Sequence, residues 1–127
     1  MASNDLLKGM LKPIILKLLF EKGKMYGYEI TQLVSEISAG EIELTFGALY
    51  PILHKLEQEG VVKTESIVIN NRNRIYYSLT QTGKGKAKEK IAEFEEFVQT
   101  LKIFFKPNFG LKISGLQNFG GLQLARI

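Results

Sequence analysis

Thr45-Phe46-Gly47-Ala48-Leu49-Tyr50-Pro51-Ile52-Leu53-His54-Lys55-Leu56-Glu57-Gln58-Glu59-Gly60 is the stretch on which the fold turns. At roughly 100° per residue, Leu49, Ile52, Leu53 and Leu56 share one apolar stripe, while Gly47, Tyr50, Pro51, His54, Lys55 and Gln58 point the other way. The spacing predicts a helix with one face for a core and one face suited to a groove. That second face carries small, aromatic, hydrogen-bonding and cationic groups, and neither Glu57 nor Glu59 lies at its centre. Thr45 is the expected N-cap, because its hydroxyl can accept a backbone N–H that has no helical partner, and Gly60 supplies a left-handed stop.

On the N-terminal side, residues 5–22 place Leu6, Leu7, Met10, Leu11, Ile14, Ile15, Leu18 and Leu19 at helical spacing. So broad an apolar surface predicts burial on two sides, against its own domain and a second subunit. Pro13 is expected to kink this helix or separate a short lead-in from it. A shorter helix follows over Tyr26–Ile37, broken by Ser38-Ala39-Gly40, and Glu41-Ile42-Glu43-Leu44 alternates as a short extended segment. On the C-terminal side, Val61–Ile69 and Ile75–Leu79 are rich in β-branched and aromatic residues and read as strands. Asn70-Asn71-Arg72-Asn73-Arg74 between them predicts a hairpin loop of about five residues, since asparagine tolerates the left-handed backbone. Its tip carries two of the three arginines of the chain.

Thr80 is expected to cap a last helix over Gln81–Phe105. Its Ala87, Ile91, Phe94, Val98, Leu101 and Phe105 are spaced four, three, four, three, four, the seam of a coiled coil. A seam of that length calls for a partner, and a second copy of the chain is the expected one. The reading therefore divides the chain into residues 1–80, 81–106 and a glycine-containing tail, 107–127, expected to be disordered. The fold class is α+β, mainly α: a winged helix-turn-helix with a long C-terminal dimerisation helix.

Composition excludes much. The 127 residues include no cysteine, which removes disulfides, thiolate nucleophiles and zinc-thiolate sites together. A reducing, cytoplasmic setting is the default. Lys8, Lys12, Pro13 and Lys17 interrupt the apolar runs near the N-terminus, so no membrane association is expected. Net charge of +4 permits nucleic-acid binding. His54 is the one histidine, and no P-loop, GxGxxG turn or HExxH helix occurs, so no catalytic residue, metal or cofactor is expected.

The order helix, helix, helix, hairpin, helix matches the docking scheme in which the third helix enters the major groove and the hairpin reaches flanking backbone or minor groove. Thr45, Gly47, Tyr50, Pro51, His54, Lys55 and Gln58 on the helix, with Arg72 and Arg74 on the wing, are the candidate DNA-binding residues. Gly47 permits close approach, the helix N-terminus can meet a phosphate, and Gln58 can pair with adenine. Lys84, Lys86, Lys88 and Lys90 extend the basic character.

Tyr26-Gly27-Tyr28-Glu29-Ile30, Gly47-Ala48-Leu49-Tyr50-Pro51-Ile52-Leu53, Leu56-Glu57, Gly60-Val61-Val62, Arg74-Ile75-Tyr76-Tyr77-Ser78-Leu79-Thr80 and Gly83 together closely resemble the PadR-like transcriptional regulators. The resemblance spans about Leu6 to Phe105. It implies a winged-helix repressor, dimeric through its first and last helices, that binds a pseudo-palindromic double-stranded operator and is released by a small molecule. It also accommodates Pro51, since proline follows the tyrosine within this helix in the family. The single C-terminal helix resembles the short subfamily that includes multidrug-sensing repressors, where aromatic residues line a flat cavity at the dimer interface. Ile14, Leu18, Ile91, Phe94, Val98, Leu101 and Phe105 are the corresponding effector and dimer-interface candidates, for a hydrophobic or aromatic effector. The multidrug members use tryptophan there, and this chain has none. Two other readings stay open: a winged-helix module for protein interaction, because fold alone does not fix function, and a dimer that sequesters hydrophobic compounds without operator binding.

Overall fold

The Thr45–Gly60 stretch folds as its caps dictate. In the computed structural model, which describes residues 7–106, helix α3 runs Phe46–Gln58. Thr45 Oγ1 accepts the N–H of Ala48 at 3.2 Å. At the other end Gly60 sits at φ 75°, and the N–H groups of Gly60 and Val61 bond the carbonyls of Glu57 and Leu56. This is the left-handed stop that satisfies the last free carbonyls. The helix continues through Pro51, whose ring is exposed and whose missing N–H leaves one outward bond unmade.

Around α3 lie α1 (Leu11–Lys22), α2 (Gly27–Ile37) and α4 (Gln81–Phe104), with strands β1 (Lys24–Tyr26), β2 (Val62–Ile69) and β3 (Arg72–Leu79). Pro13 falls in the first turn of α1, where the ring is tolerated, and Gly9 at φ 86° separates the helix from the residues before it. Residues 41–44 belong to no strand; the N–H groups of Glu41 and Ile42 bond back to Ser38, and Ile42 and Leu44 turn inward with Glu41 and Glu43 outward. The three strands form one antiparallel sheet in the order β1-β3-β2. The fold class is as expected, mainly helical with a small sheet and a wing.

Three details differ from the sequence expectation. Tyr26 does not begin α2; with Lys24 and Met25 it forms a third strand, pairing Tyr26 with Tyr76. Glu29 then reaches back to accept the N–H of Tyr26 at 3.1 Å, a carboxylate closing the start of α2. The hairpin loop is two residues, not five: Ile69 pairs directly with Arg72, and Asn70 and Asn71 take φ 51° and 62°. Two consecutive left-handed residues are what a tight hairpin requires, so Arg72, Asn73 and Arg74 belong to β3. Leu18, expected at an interface, is 7% exposed and belongs to the core of its own chain. Among the α1 residues, the more accessible apolar ones are Leu11, Ile14 and Phe20.

Two compact units divide the chain, residues 1–92 and 93–127. The first holds the core, in which Ile15, Leu19, Ile30, Leu49, Leu53 and Leu56 are the largest fully buried side chains. Full burial of one such side chain contributes on the order of 2 kcal/mol. Thr80 closes this unit. It caps α4 by accepting the N–H of Gly83 at 2.8 Å and donates to the carbonyl of Gly60 at 2.7 Å. In the second unit α4 presents Phe97 and Phe104, and Phe105 follows its end, all exposed. No described helix is long and apolar enough to cross a membrane. The expected tail, 107–127, lies outside the described residues.

Tyr77 gives the first unit an alkaline limit. Burial, then the neighbouring Tyr50 and Glu57, push its hydroxyl above the usual 10. A raised pKa favours the neutral folded form, so this contribution is complete below pH 10 and is lost as pH rises through the folded value. Stability is therefore expected to fall above about pH 10, and Tyr77→Phe is expected to flatten that fall in denaturant melts followed against pH.

Candidate nucleic-acid interface

The outward side of α3 is open and free of acid. Thr45, Gly47, Pro51, His54, Lys55 and Gln58 are all exposed. The two acids of the segment are engaged elsewhere: Glu57 accepts from the Thr64 hydroxyl at 3.3 Å, and Glu59 lies 3.8 Å from the Lys12 ammonium. At the helix start, no described group accepts the N–H of Phe46 or Gly47. Free first-turn amides with the helix dipole behind them form a ready seat for an anion. A Cβ built on Gly47 meets nothing nearer than Thr45 Oγ1 at 3.9 Å. The packing of the chain therefore does not require glycine there.

Tyr50 departs from its helical-wheel position. Its ring is half-buried and packs against the core. It lies 6.5 Å from the Tyr77 ring and over Gly27, where an added Cβ would sit 2.8 Å from Cζ of Tyr50 and closer still to its hydroxyl. Gly27 is thus the floor on which the tyrosine of α3 rests, joining the start of α2 to the candidate interface. The ring edge continues an aromatic row along the helix, with Phe46 at 5.8 Å and His54 at 6.0 Å. Phe46 was not among the sequence candidates. The i, i+4 spacing of residues 46, 50 and 54 was the signal for it.

On the wing, register decides direction. The row Met25-Tyr77-Thr64 faces α3, since Tyr77 meets Tyr50 and Thr64 meets Glu57. Alternation then puts Ser66, Val68, Asn73 and Ile75 on that same side. Arg72 and Arg74 lie on the opposite face, so the sheet does not aim them at the side that α3 occupies. The Arg74 guanidinium stacks over the Tyr26 ring at 4.5 Å, a cation-π contact. Arg72, next to the turn, is exposed. Asn73, hydrogen-bonded to the Ser66 hydroxyl, is a polar group on the α3 side that sequence reading passed over as loop.

The remaining candidates lie on α1 and α4. Ile14 and Ile91 are half-buried against the core. Phe94, Val98 and Leu101 are half-buried and Phe105 is 81% exposed in the second unit.

The family model described as the PadR-like family of transcriptional regulators matches residues 15–89. The chain belongs to that family. An uncharacterized protein of Lysinibacillus sphaericus is 31% identical over 107 residues, spanning 84% of this chain and 97% of its own. Among solved structures, a transcriptional regulator from Clostridium thermocellum superposes with a TM-score of 0.70 at 30% identity, over 81% of this chain and all of that one. Bacillus subtilis PadR, solved in complex with operator DNA, is 31% identical with a TM-score of 0.56. That match covers 63% of this chain and 45% of the Bacillus subtilis chain. The family match over residues 15–89 takes in Gly27, Tyr50, Thr80 and Gly83.

Proposed function

We propose that this PadR-like regulator is a homodimeric, sequence-specific DNA-binding repressor that a hydrophobic or aromatic small molecule releases. The observation that carries the DNA reading is the acid-free outward side of α3, where the Phe46 and Gly47 amides meet no described acceptor and the space over Gly47 is open. His54, Lys55 and Gln58 read base edges or phosphate from that side, and Phe46 and Tyr50 supply flat surface at its start. The operator complex of Bacillus subtilis PadR supports this reading by similarity. For the dimer, the support is the seam of Phe94, Val98, Leu101 and Phe105 together with the exposed Phe97 and Phe104. An apolar strip of that kind is what a self-complementary interface requires. The same aromatic side chains are the proposed effector site.

Genomic fragments that co-purify with the protein supply the test. Wild type is expected to bind a selected fragment at least about a thousand-fold more tightly than random duplex, the low end for specific regulators. Equal affinity for both would sink the specific-repressor reading. In the same assay Arg72→Ala is expected to weaken all sequences alike and to reduce the salt slope by about one unit, as for the loss of one phosphate contact. An unchanged slope removes Arg72 from the interface.

A further inference from the structure

Behind the sheet, away from α3, lies a cleft of about 640 Å³ that contains none of the residues named for DNA contact under the proposed function. Lys22 at the end of α1, Lys24 on β1, Lys63 on β2 and Lys84 at the start of α4 line it, with Phe20 and Ser78. Register explains the convergence. Lys24 and Lys63 both pair with Ser78, so the sheet carries a row Lys24-Ser78-Lys63, with a hydroxyl between two ammonium groups. At about 4.8 Å per strand the two lysine backbones stand roughly 10 Å apart.

The cleft has no acidic lining residue. Glu65, beside it, binds Lys24 at 2.8 Å, and no described acid forms an ion pair with Lys22, Lys63 or Lys84. Lys17 and Lys12, by contrast, are paired with Glu21 and Glu59. Lys84 is placed against the helix dipole, in a first turn that contains no acid. Glu65 compensates Lys24 and also feels the Lys63 charge, while Lys22 and Lys84 add two more like charges that repel their neighbours unless a further anion joins them. Phe20, 38% exposed, adds an aromatic face at the rim, and the volume falls within the range of small-molecule sites.

We propose that this cleft binds a nucleoside polyphosphate, its phosphates held by Lys63, Lys84 and the Ser78 hydroxyl and its base stacked on Phe20. The ligand chemistry follows from the lining: several negative charges at one end, which lysines hold as point charges, and a flat π-face at the other. The Lys24-Ser78-Lys63 row lies on the opposite face of the sheet from α3, so nucleotide binding is tested apart from the operator reading.

The test is calorimetric titration of the full chain with ATP, tripolyphosphate and adenosine, with folding of each variant checked by circular dichroism. ATP is expected to bind, tripolyphosphate more weakly and adenosine not at all. The Lys63→Gln, Lys84→Gln double variant is expected to lose at least about tenfold in ATP affinity, as befits two charge-assisted contacts. Phe20→Ala is expected to weaken ATP and leave tripolyphosphate unchanged. Absence of ATP binding, or equal ATP affinity in the double variant, overturns the proposal. So does a Phe20→Ala effect that is the same for both ligands. If the double variant loses affinity for random duplex by the same factor as for ATP, the lysines serve nucleic-acid backbone and the nucleotide site is refuted.

Discussion

Gly83→Ala is expected to destabilise the protein by about 3 kcal/mol, the upper range for overpacking, and to lower Tm by roughly 10 °C. A Cβ at this position would lie 2.8 Å from the Val61 carbonyl carbon, closer still to its oxygen, and 2.9 Å from Thr80 Oγ1. Two of those atoms are backbone, and neither can swing aside. The Val61 carbonyl already accepts the N–H of Thr80 at 3.0 Å, while the Thr80 hydroxyl caps α4 and holds Gly60. Displacing any member loosens the joint between the end of α3, the start of β2 and the start of α4. Gly85, two residues on in the same helix, is the control. A Cβ there meets nothing within 4 Å, so Gly85→Ala is expected to stabilise by up to about 1 kcal/mol through helix propensity. Thermal melts of the two variants should move in opposite directions; a shared sign would refute the packing argument.

Gly47→Ala is expected to separate stability from binding. The space around Gly47 holds nothing but Thr45 Oγ1 at 3.9 Å. Alanine therefore fits, and its better helix propensity should raise stability by up to about 1 kcal/mol. If α3 enters a DNA groove with its first turn against the duplex, the same methyl stands between backbone and phosphate. Operator affinity should then fall by on the order of 1 to 3 kcal/mol, comparable to the loss of one good groove contact. Mobility shifts at fixed salt, beside thermal melts, measure both. A more stable variant with undiminished affinity would remove Gly47 from the interface and weaken the orientation proposed for α3.

Much of this was legible in the sequence because the signals were local. Thr45 and Gly60 bracket α3 by capping chemistry that needs no distant residue, and the spacing of Leu49, Leu53 and Leu56 points to the buried side. The alternation of residues 41–44 was readable for the same reason. β1 was not, since Lys24-Met25-Tyr26 is too short for periodicity and becomes a strand only by pairing with β3. The hairpin loop was overestimated because both faces of a projecting wing are exposed, so Arg72-Asn73-Arg74 shows no apolar alternation to mark a strand.

The four helices, the two strands of the wing, their order, the caps of α3 and the family motifs were all written in neighbours a few residues apart. Tertiary structure alone decided where side chains end up. It set Tyr50 on Gly27, put Leu18 into the core, turned Arg74 onto Tyr26 and away from α3, and gathered lysines from four elements around Ser78. The reason is physical. Helical phase and strand alternation fix a direction relative to the element, but contact depends on which surfaces the long-range packing brings opposite one another.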